Sequence, residues 1–382
     1  MQAIYLDNAA TSYPKPPQVT EAVARCLREV GGNPGRSGHA FALAAGRAVE
    51  QCREALAELL GVQDPARIGF TANCTGALNT AIQGFVRPGD HVITTAMEHN
   101  STLRPLVTLK RRGIIELTIL PLRDGVASPA DLLAALRPNT RLACFCHVSN
   151  VTGAVAPVEL LSELCRIAGV TVLLDAAQSA GHLPIDVSSL PVDMVAMPGH
   201  KGLMGPQGTG ALYVSPALEL QPLTQGGTGS YSDLMTQPEE YPDHLESGTL
   251  NTPGLAGLAA GIAWRRGEFA RIHAAEQQVL SLLVSGLTRI PGVWLLGDAT
   301  MPRCGVVAFN IRQHPSGDVA DLLSERYGIA VRGGLHCAPL AHRHYGTLEQ
   351  GAVRVSPGPM TTVAEAEAAL EAVDALAREL RG

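Results

Sequence analysis

Apolar residues fall into two spacings along this chain, and the change between them outlines the fold. Pro16 to Val30 carry apolar positions at helical spacing after a run of prolines, and Gly31-Gly32 closes the segment. A turn-forming stretch, GGNPGRSGH, follows, and residues 40–60 give a long Ala/Leu/Arg/Glu pattern of helical period. From Arg67 onward, short apolar runs alternate with helical segments. The runs are RIGFTA, HVITTA, IIELTIL, RLACFCHV, VTVLLDA, VDMVAMPG and GALYV. Helices are predicted near 75–85, 100–111, 129–136 and 157–168. Several runs are apolar at successive positions, the pattern of strands covered on both faces. This predicts an α/β architecture with a mostly parallel sheet over residues 65–215. GALYV is open to an antiparallel placement, because a turn-rich loop without a helix precedes it. Residues 216–252 read as loop, and a long helical stretch over 254–286 reads as a connector. The remainder, with RCGVVAFNI, IAVRGG, GAVRVSP and a final helix over 362–380, predicts a smaller α+β domain. The expected division is a large domain over 16–253, a connecting helix region over 254–286 and a small domain over 287–382, with residues 1–30 available to pack against the last.

Composition narrows the classes of function. Hydrophobic residues make up 46% of 382 residues, enough for a substantial core. The formal charge is -6 and the basic run Lys110-Arg111-Arg112 is short, so nucleic acid is not expected as the main partner. Apolar stretches end well short of the roughly 20 residues that span a bilayer, and no secretory pattern opens the chain. Eight cysteines are scattered without a CxxC, which suits a reducing compartment, the cytoplasm by default.

The chain has only three lysines, Lys15, Lys110 and Lys201, so a search for lysine chemistry is short. Lys15 sits in a proline-rich stretch and Lys110 among arginines, and both read as solvated. Lys201 directly follows the strand VDMVAMPG, at the end of a strand where open α/β sheets bind ligands. Asp175 closes another strand, VTVLLDA, on the same side. A lysine for a Schiff base and a carboxylate for a pyridinium nitrogen are the two marks of pyridoxal phosphate chemistry. Taken alone, Lys201 is also open to a reading as an exposed loop lysine, and Asp175 to one as a helix N-cap. Gln178 follows within one helical turn and can reach the phenolic oxygen of the same ring. In FTANCTGALN, Cys74, Thr75 and Gly76 stand where a strand gives way to a helix, a natural anion site, although an ordinary cap explains Thr75 as well. His99, in TTAMEHN, is placed to stack on a ring and move protons, or simply to start a helix. Cys337 lies beside His336 in the glycine-marked loop VRGGLHCAPL and reads as a reactive thiol rather than a core one. Cys144, Cys146 and Cys165 read as core, and no cluster has metal-ligand spacing. Arg354, in GAVRVSP, is suited to hold a carboxylate, as it is to a structural ion pair.

Taken in order, YLDNAATSYPKP, NCTGALN, MEHNS, SNVTGAVAPV, LLDAAQSAGHLPIDV, GHKGLMGPQGTGALYV, GGTGS, ESGTLNTPG and VRGGLHCAPL resemble the class V aminotransferase group of fold-type I pyridoxal phosphate enzymes, in its cysteine desulfurase/selenocysteine lyase branch. The resemblance covers nearly the whole chain. It implies a large domain with a seven-stranded, mostly parallel sheet. It implies Lys201 as the Schiff-base lysine, His99 stacked on the ring, Asp175 on the ring nitrogen, Gln178 on the phenolic oxygen, and Thr75 and His200 on the phosphate. Asn150 would contact cofactor or substrate, Arg354 the substrate carboxylate, and Thr249 the phosphate of a neighbouring subunit, so that a homodimer completes each site. Cys337 would accept sulfur from L-cysteine as a persulfide, releasing L-alanine, and pass it to an acceptor protein. Selenocysteine lysis or another class V lyase or transaminase reaction is the alternative. Two positions depart from the pattern: Pro198 stands where relatives carry a phosphate-contacting serine, and Cys74 where they carry a hydroxyl residue.

Overall fold

A computed structural model describes residues 3–35 and 38–380. Arg36 and Ser37 of the glycine-marked turn lie outside the described residues. Six helices precede or cover the main sheet: α1 (Pro17–Arg25), α2 (Ala40–Leu60), α3 (Cys74–Phe85), α4 (Asn100–Arg111), α5 (Pro129–Ala135) and α6 (Val158–Ile167). Local chemistry sets several of their ends. The His39 ring accepts the Ala42 N–H at the start of α2, and Gly61, at φ 68°, closes it in a left-handed conformation. The Asn73 side chain accepts the Gly76 N–H at the start of α3. The segment predicted as one helix from Pro16 to Val30 is α only to Arg25; Cys26–Val30 forms a wider π turn before Gly31.

All seven apolar runs join one sheet. Its strands are β1 (Ile68–Thr71), β2 (Asp90–Thr95), β3 (Ile115–Leu120), β4 (Thr140–Cys146), β5 (Thr171–Asp175), β6 (Met194–Pro198) and β7 (Gly210–Val214), in the spatial order β1-β7-β6-β5-β4-β2-β3. Strands β6, β5, β4, β2 and β3 run parallel, while β7 is antiparallel to both of its neighbours. The apolar runs now have a physical cause. Phe145, Leu174, Val195 and Ala211 face one core with Leu56 of α2 and Leu161 of α6, whereas Cys144, Leu173, Ala196 and Leu212 face another with Leu78 of α3 and Leu106 of α4. Both faces are dry, so successive residues are apolar.

The predicted connector is two helices, α7 (Thr252–Gly267) and α8 (Phe269–Leu287), with Glu268 leaving helical geometry between them. They serve different cores: Leu255, Leu258 and Ile262 pack with the main sheet, while Val279, Leu280, Leu283 and Leu287 join a separate cluster. Across the break, Arg265 donates to Glu276 through two nitrogens, at 3.0 and 2.5 Å, and both side chains are buried. The second cluster lies around an antiparallel sheet of β8 (Val293–Leu295), β9 (Val307–Ile311) and β10 (Val353–Val355), with α9 (Ser316–Tyr327) and α11 (Val363–Glu379); α10 (Pro339–His344) follows the loop of Cys337. Leu6 belongs to this cluster, and Ile4–Tyr5 pairs in parallel with Ile329–Ala330. Helix α1 packs on α7 instead. Among the described residues no helix is long and apolar enough to cross a membrane.

Candidate active site

Four parallel strands end on one side of the sheet, and their first loop residues build the site. Strand β5 ends in Asp175; β6 is followed by Gly199-His200-Lys201; β2 leads to Glu98 and His99; β4 leads to Asn150. The Asp175 and Lys201 loops are forced together by backbone contact. A Cβ on Gly202 would lie 2.3 Å from the Ala180 carbonyl oxygen, and one on Gly181, at φ 84°, would lie 2.4 Å from that of Gly202. No side chain fits at either position.

Asp175 is 3% exposed, and Oδ1 accepts the Ala177 N–H at 2.9 Å and the Cys74 thiol at 3.7 Å. Burial raises its pKa, while the Ala177 N–H and Lys201 oppose the shift. Burial drives the Lys201 ammonium the other way, lowering its pKa, against the pull of Cys74 and Asp175. The Cys74 thiol therefore faces the carboxylate, and burial beside that charge holds its pKa well above the ordinary thiol value. Thr75 remains on the exposed side of the α3 turn.

His99 caps α4. Its Nδ1 accepts the Ser101 N–H at 3.0 Å, so the neutral ring carries its proton on Nε2. Ser101 was not singled out by the sequence, yet its hydroxyl lies 2.9 Å from His99 Nδ1 and 2.8 Å from Thr75 Oγ1. Burial, with Lys201, Arg332, Arg354 and Arg104 nearby, lowers the His99 pKa to about 4. A cleft of about 580 Å³ opens here, lined by Thr75, His99, Ser101, Arg104 and Cys337 among others.

Cys337 is the one exposed cysteine of the eight; the other seven are buried. His336 and Cys337 both take left-handed φ values, 49° and 57°, which side chains adopt only when held. The Asn150 amide donates to the His336 carbonyl at 2.6 Å and the Asn100 N–H to the Cys337 carbonyl at 2.7 Å. The loop is thus tied to the segment after β4 and to the first residue of α4. Asn150 Oδ1 is buried without a partner, and so is His200 Nδ1.

Arg354 is 1% exposed on β10. It donates from Nη2 to Asp7 at 2.7 Å and from Nη1 to the Asn150 carbonyl at 3.1 Å, leaving Nε unpartnered. Asp7 is a second residue that sequence reasoning passed over, although it lies inside YLDNAATS. The same segment wraps the Lys201 loop: Ser12 Oγ donates to the carbonyls of His200 and Lys201, both at 3.0 Å, and Gln178 donates to Ala9 at 3.0 Å. Lys15, read as solvated, is instead half-buried against this loop; it donates to Ser12 Oγ at 2.7 Å and to the His200 carbonyl at 3.0 Å, and burial lowers its pKa to about 8. The chain reversal after Tyr5 brings it there, which local composition could not reveal. Thr249 is exposed and its hydroxyl accepts from Asn33.

Glu98, also passed over, is buried beside Asp175 and Cys146, with one candidate ligand atom of each within 4.8 Å of the others. The signal was an acid placed after an apolar strand and directly before His99.

The Aminotransferase class-V family profile matches residues 4–369. A protein of Methanothermobacter thermautotrophicus named a probable cysteine desulfurase is 35% identical over 355 residues, covering 91% of this chain and 88% of its own. A cysteine desulfurase of Pectobacterium atrosepticum is 34% identical, with 90% and 86% covered. The apo structure of a cysteine desulfurase from Thermococcus onnurineus superposes with a TM-score of 0.93 at 32% identity, over 99% of this chain and 96% of the other. An Escherichia coli cysteine desulfurase reaches 0.87 at 31% identity, over 99% and 95%.

Proposed function

We propose a function from one established premise: the chain belongs to the class-V aminotransferase family. The reading is a pyridoxal phosphate-dependent cysteine desulfurase that converts L-cysteine to L-alanine and leaves a persulfide on Cys337. The observation that carries it is the exposed Cys337 thiol on a cleft shared with His99 and Thr75, where His99 feels the charge of the half-buried Lys201 and Lys201 that of the buried Asp175.

The residues present fit the cofactor. Asp175 is a buried carboxylate suited to a ring-nitrogen proton, Lys201 is its cationic neighbour, and the buried atoms Asn150 Oδ1 and His200 Nδ1 lack protein partners. Thr75, at the α3 N-terminus, and His200 would hold the phosphate, with Gln178 and Asn150 toward the phenolic oxygen. Cys74 belongs on the Asp175 side of this arrangement, orienting the carboxylate. When bound, pyridoxal phosphate supplies an electron sink for the substrate Cα.

The chain's own groups account for the remaining steps. Arg354, aimed by Asp7, binds the substrate carboxylate through Nε and its free hydrogens. The Lys201 amine, its basicity reduced by burial, takes the Cα proton and returns one to Cα when alanine is formed. The Cys337 thiolate attacks the substrate sulfur; the new S–S bond replaces the C–S bond, whose electron pair stays on carbon and is protonated to give alanine. His99, neutral with its proton on Nε2, moves a proton at the sulfur. The exposed Thr249 is offered to the phosphate of a second copy, which makes the homodimer the working form, and an exposed persulfide suits transfer to an acceptor protein. The free cysteines suit a reducing, cytoplasmic setting.

The test is mass spectrometry. Borohydride reduction should fix the cofactor on the Lys201 peptide, and incubation with L-cysteine should give alanine and a mass gain of one sulfur on the Cys337 peptide. A cofactor-loaded protein that gives neither product overturns the reading.

A further inference from the structure

Glu98 is a buried acid that the mechanism leaves unused and that no cation among the described residues pairs. Glu98 Oε1 accepts from Thr95 Oγ1 at 2.8 Å and from the Cys146 N–H at 2.9 Å, while Oε2 is buried with no partner. The titratable groups facing it are Cys144 and Cys146 on β4 and Asp175 at the end of β5. A carboxylate oxygen of Glu98 and one of Asp175 lie within 4.8 Å of each other. Two carboxyls this close in a dry site do not both ionise.

Which of the two keeps the proton follows from their partners. Asp175 is supplied for charge: it accepts the Ala177 N–H and the Cys74 thiol and feels the Lys201 ammonium. An ionised Glu98 would leave Oε2 as a buried anionic oxygen without a donor, and would set a second negative charge beside Asp175. Both donors to Glu98 sit on Oε1, so a proton belongs on Oε2.

We propose that Glu98 is a positioning residue that stays neutral, carries a proton on Oε2, and so reserves the single negative charge of this pair for Asp175. The role rests on the reading of Asp175 as the ring-nitrogen partner. Burial and the Asp175 charge push the Glu98 pKa up to about 8, so the neutral form persists through neutral pH and is lost above it.

Infrared difference spectroscopy reads this proton directly, with or without cofactor. Wild-type protein should show the carbonyl stretch of a protonated carboxylic acid at pH 7. The band should fade as the pH rises through about 8, and Glu98→Gln should lack it. Absence of the band in wild type, or its persistence in Glu98→Gln, overturns the proposal. Cofactor affinity gives a second readout. Glu98→Leu, which offers no donor or acceptor, should weaken pyridoxal phosphate binding about tenfold, and Glu98→Gln, which keeps the acceptor and a donor, should restore most of that loss. A glutamine variant as weak as the leucine variant would mean that a charge is required, against the proposal. Failure of the wild type itself to bind pyridoxal phosphate would reject the cofactor reading, while the infrared band would still decide where the Glu98 proton lies.

Discussion

At the scale of single residues, the site separates groups that do chemistry from groups that hold them. Replacing Cys337 with Ala should lower alanine formation from L-cysteine at least about a hundredfold and abolish the persulfide, because the nucleophile is gone. If steady-state assays showed turnover of L-cysteine unchanged, the persulfide step would be excluded, and a selenocysteine-type lysis without a thiol acceptor would stand in its place. In the proposed reading Asp7 acts through Arg354, its ion-pair partner. Asp7→Asn keeps the shape but loses a charge-assisted bond, and should raise KM for L-cysteine about tenfold with little change in kcat. Lys201, Asp175, His99, Cys337 and Arg354 were legible as candidates because each has a side chain unusual for its surroundings in the sequence. Asp7, Ser101 and Glu98 were not. Their roles depend on what lies across the fold or across a turn, and local sequence gives no such partner.

Secondary elements act here as mounts. The close approach of Gly181 and Gly202 is what sets Lys201 opposite Asp175. Gly202→Ala must push its Cβ against the Ala180 carbonyl, so the loop shifts; cofactor retention on a desalting column should drop severely while the far-ultraviolet spectrum stays native. The seam between α7 and α8 has a different test. Removing the charge of Glu276 strands the buried Arg265, and Glu276→Gln should cost about 3–5 kcal/mol in a urea melt. The helical spacing over 254–286 marks a helical stretch, which the structure divides at Glu268. Periodicity reports that residues are helical, but it does not report that the two halves serve separate cores.

For the molecule as a whole, buried histidines govern the response to acid. His147, His336 and His342 are 7, 3 and 0% exposed, and burial is the main cause lowering their pKa values, to about 4, 2 and 4. The unfolded chain binds these protons near pH 6.5 and the folded chain does not, so stability is full above pH 6.5 and falls as the pH drops toward 4. Glu276, lowered to about 2, adds a further loss below pH 4.5. Glu98 works in the opposite sense, losing stability as pH rises from 4.5 to about 8, and offsets part of the change. The melting temperature of cofactor-free protein should therefore fall by a few degrees, on the order of 1 °C per kcal/mol for a chain of this length, between pH 7 and pH 5. A flat profile would mean that these rings are hydrated. By itself the sequence determined the seven strands, the helices between them and the shortlist of reactive side chains, because burial on both sheet faces and the scarcity of lysine leave marks at neighbouring positions. Only the tertiary structure decided that Asp7 aims Arg354, that Lys15 folds onto the Lys201 loop and that Glu98 shares its surroundings with Asp175. Those pairings join residues distant in the chain, and their energies arise from a dry interior that exists only once the sheet has closed.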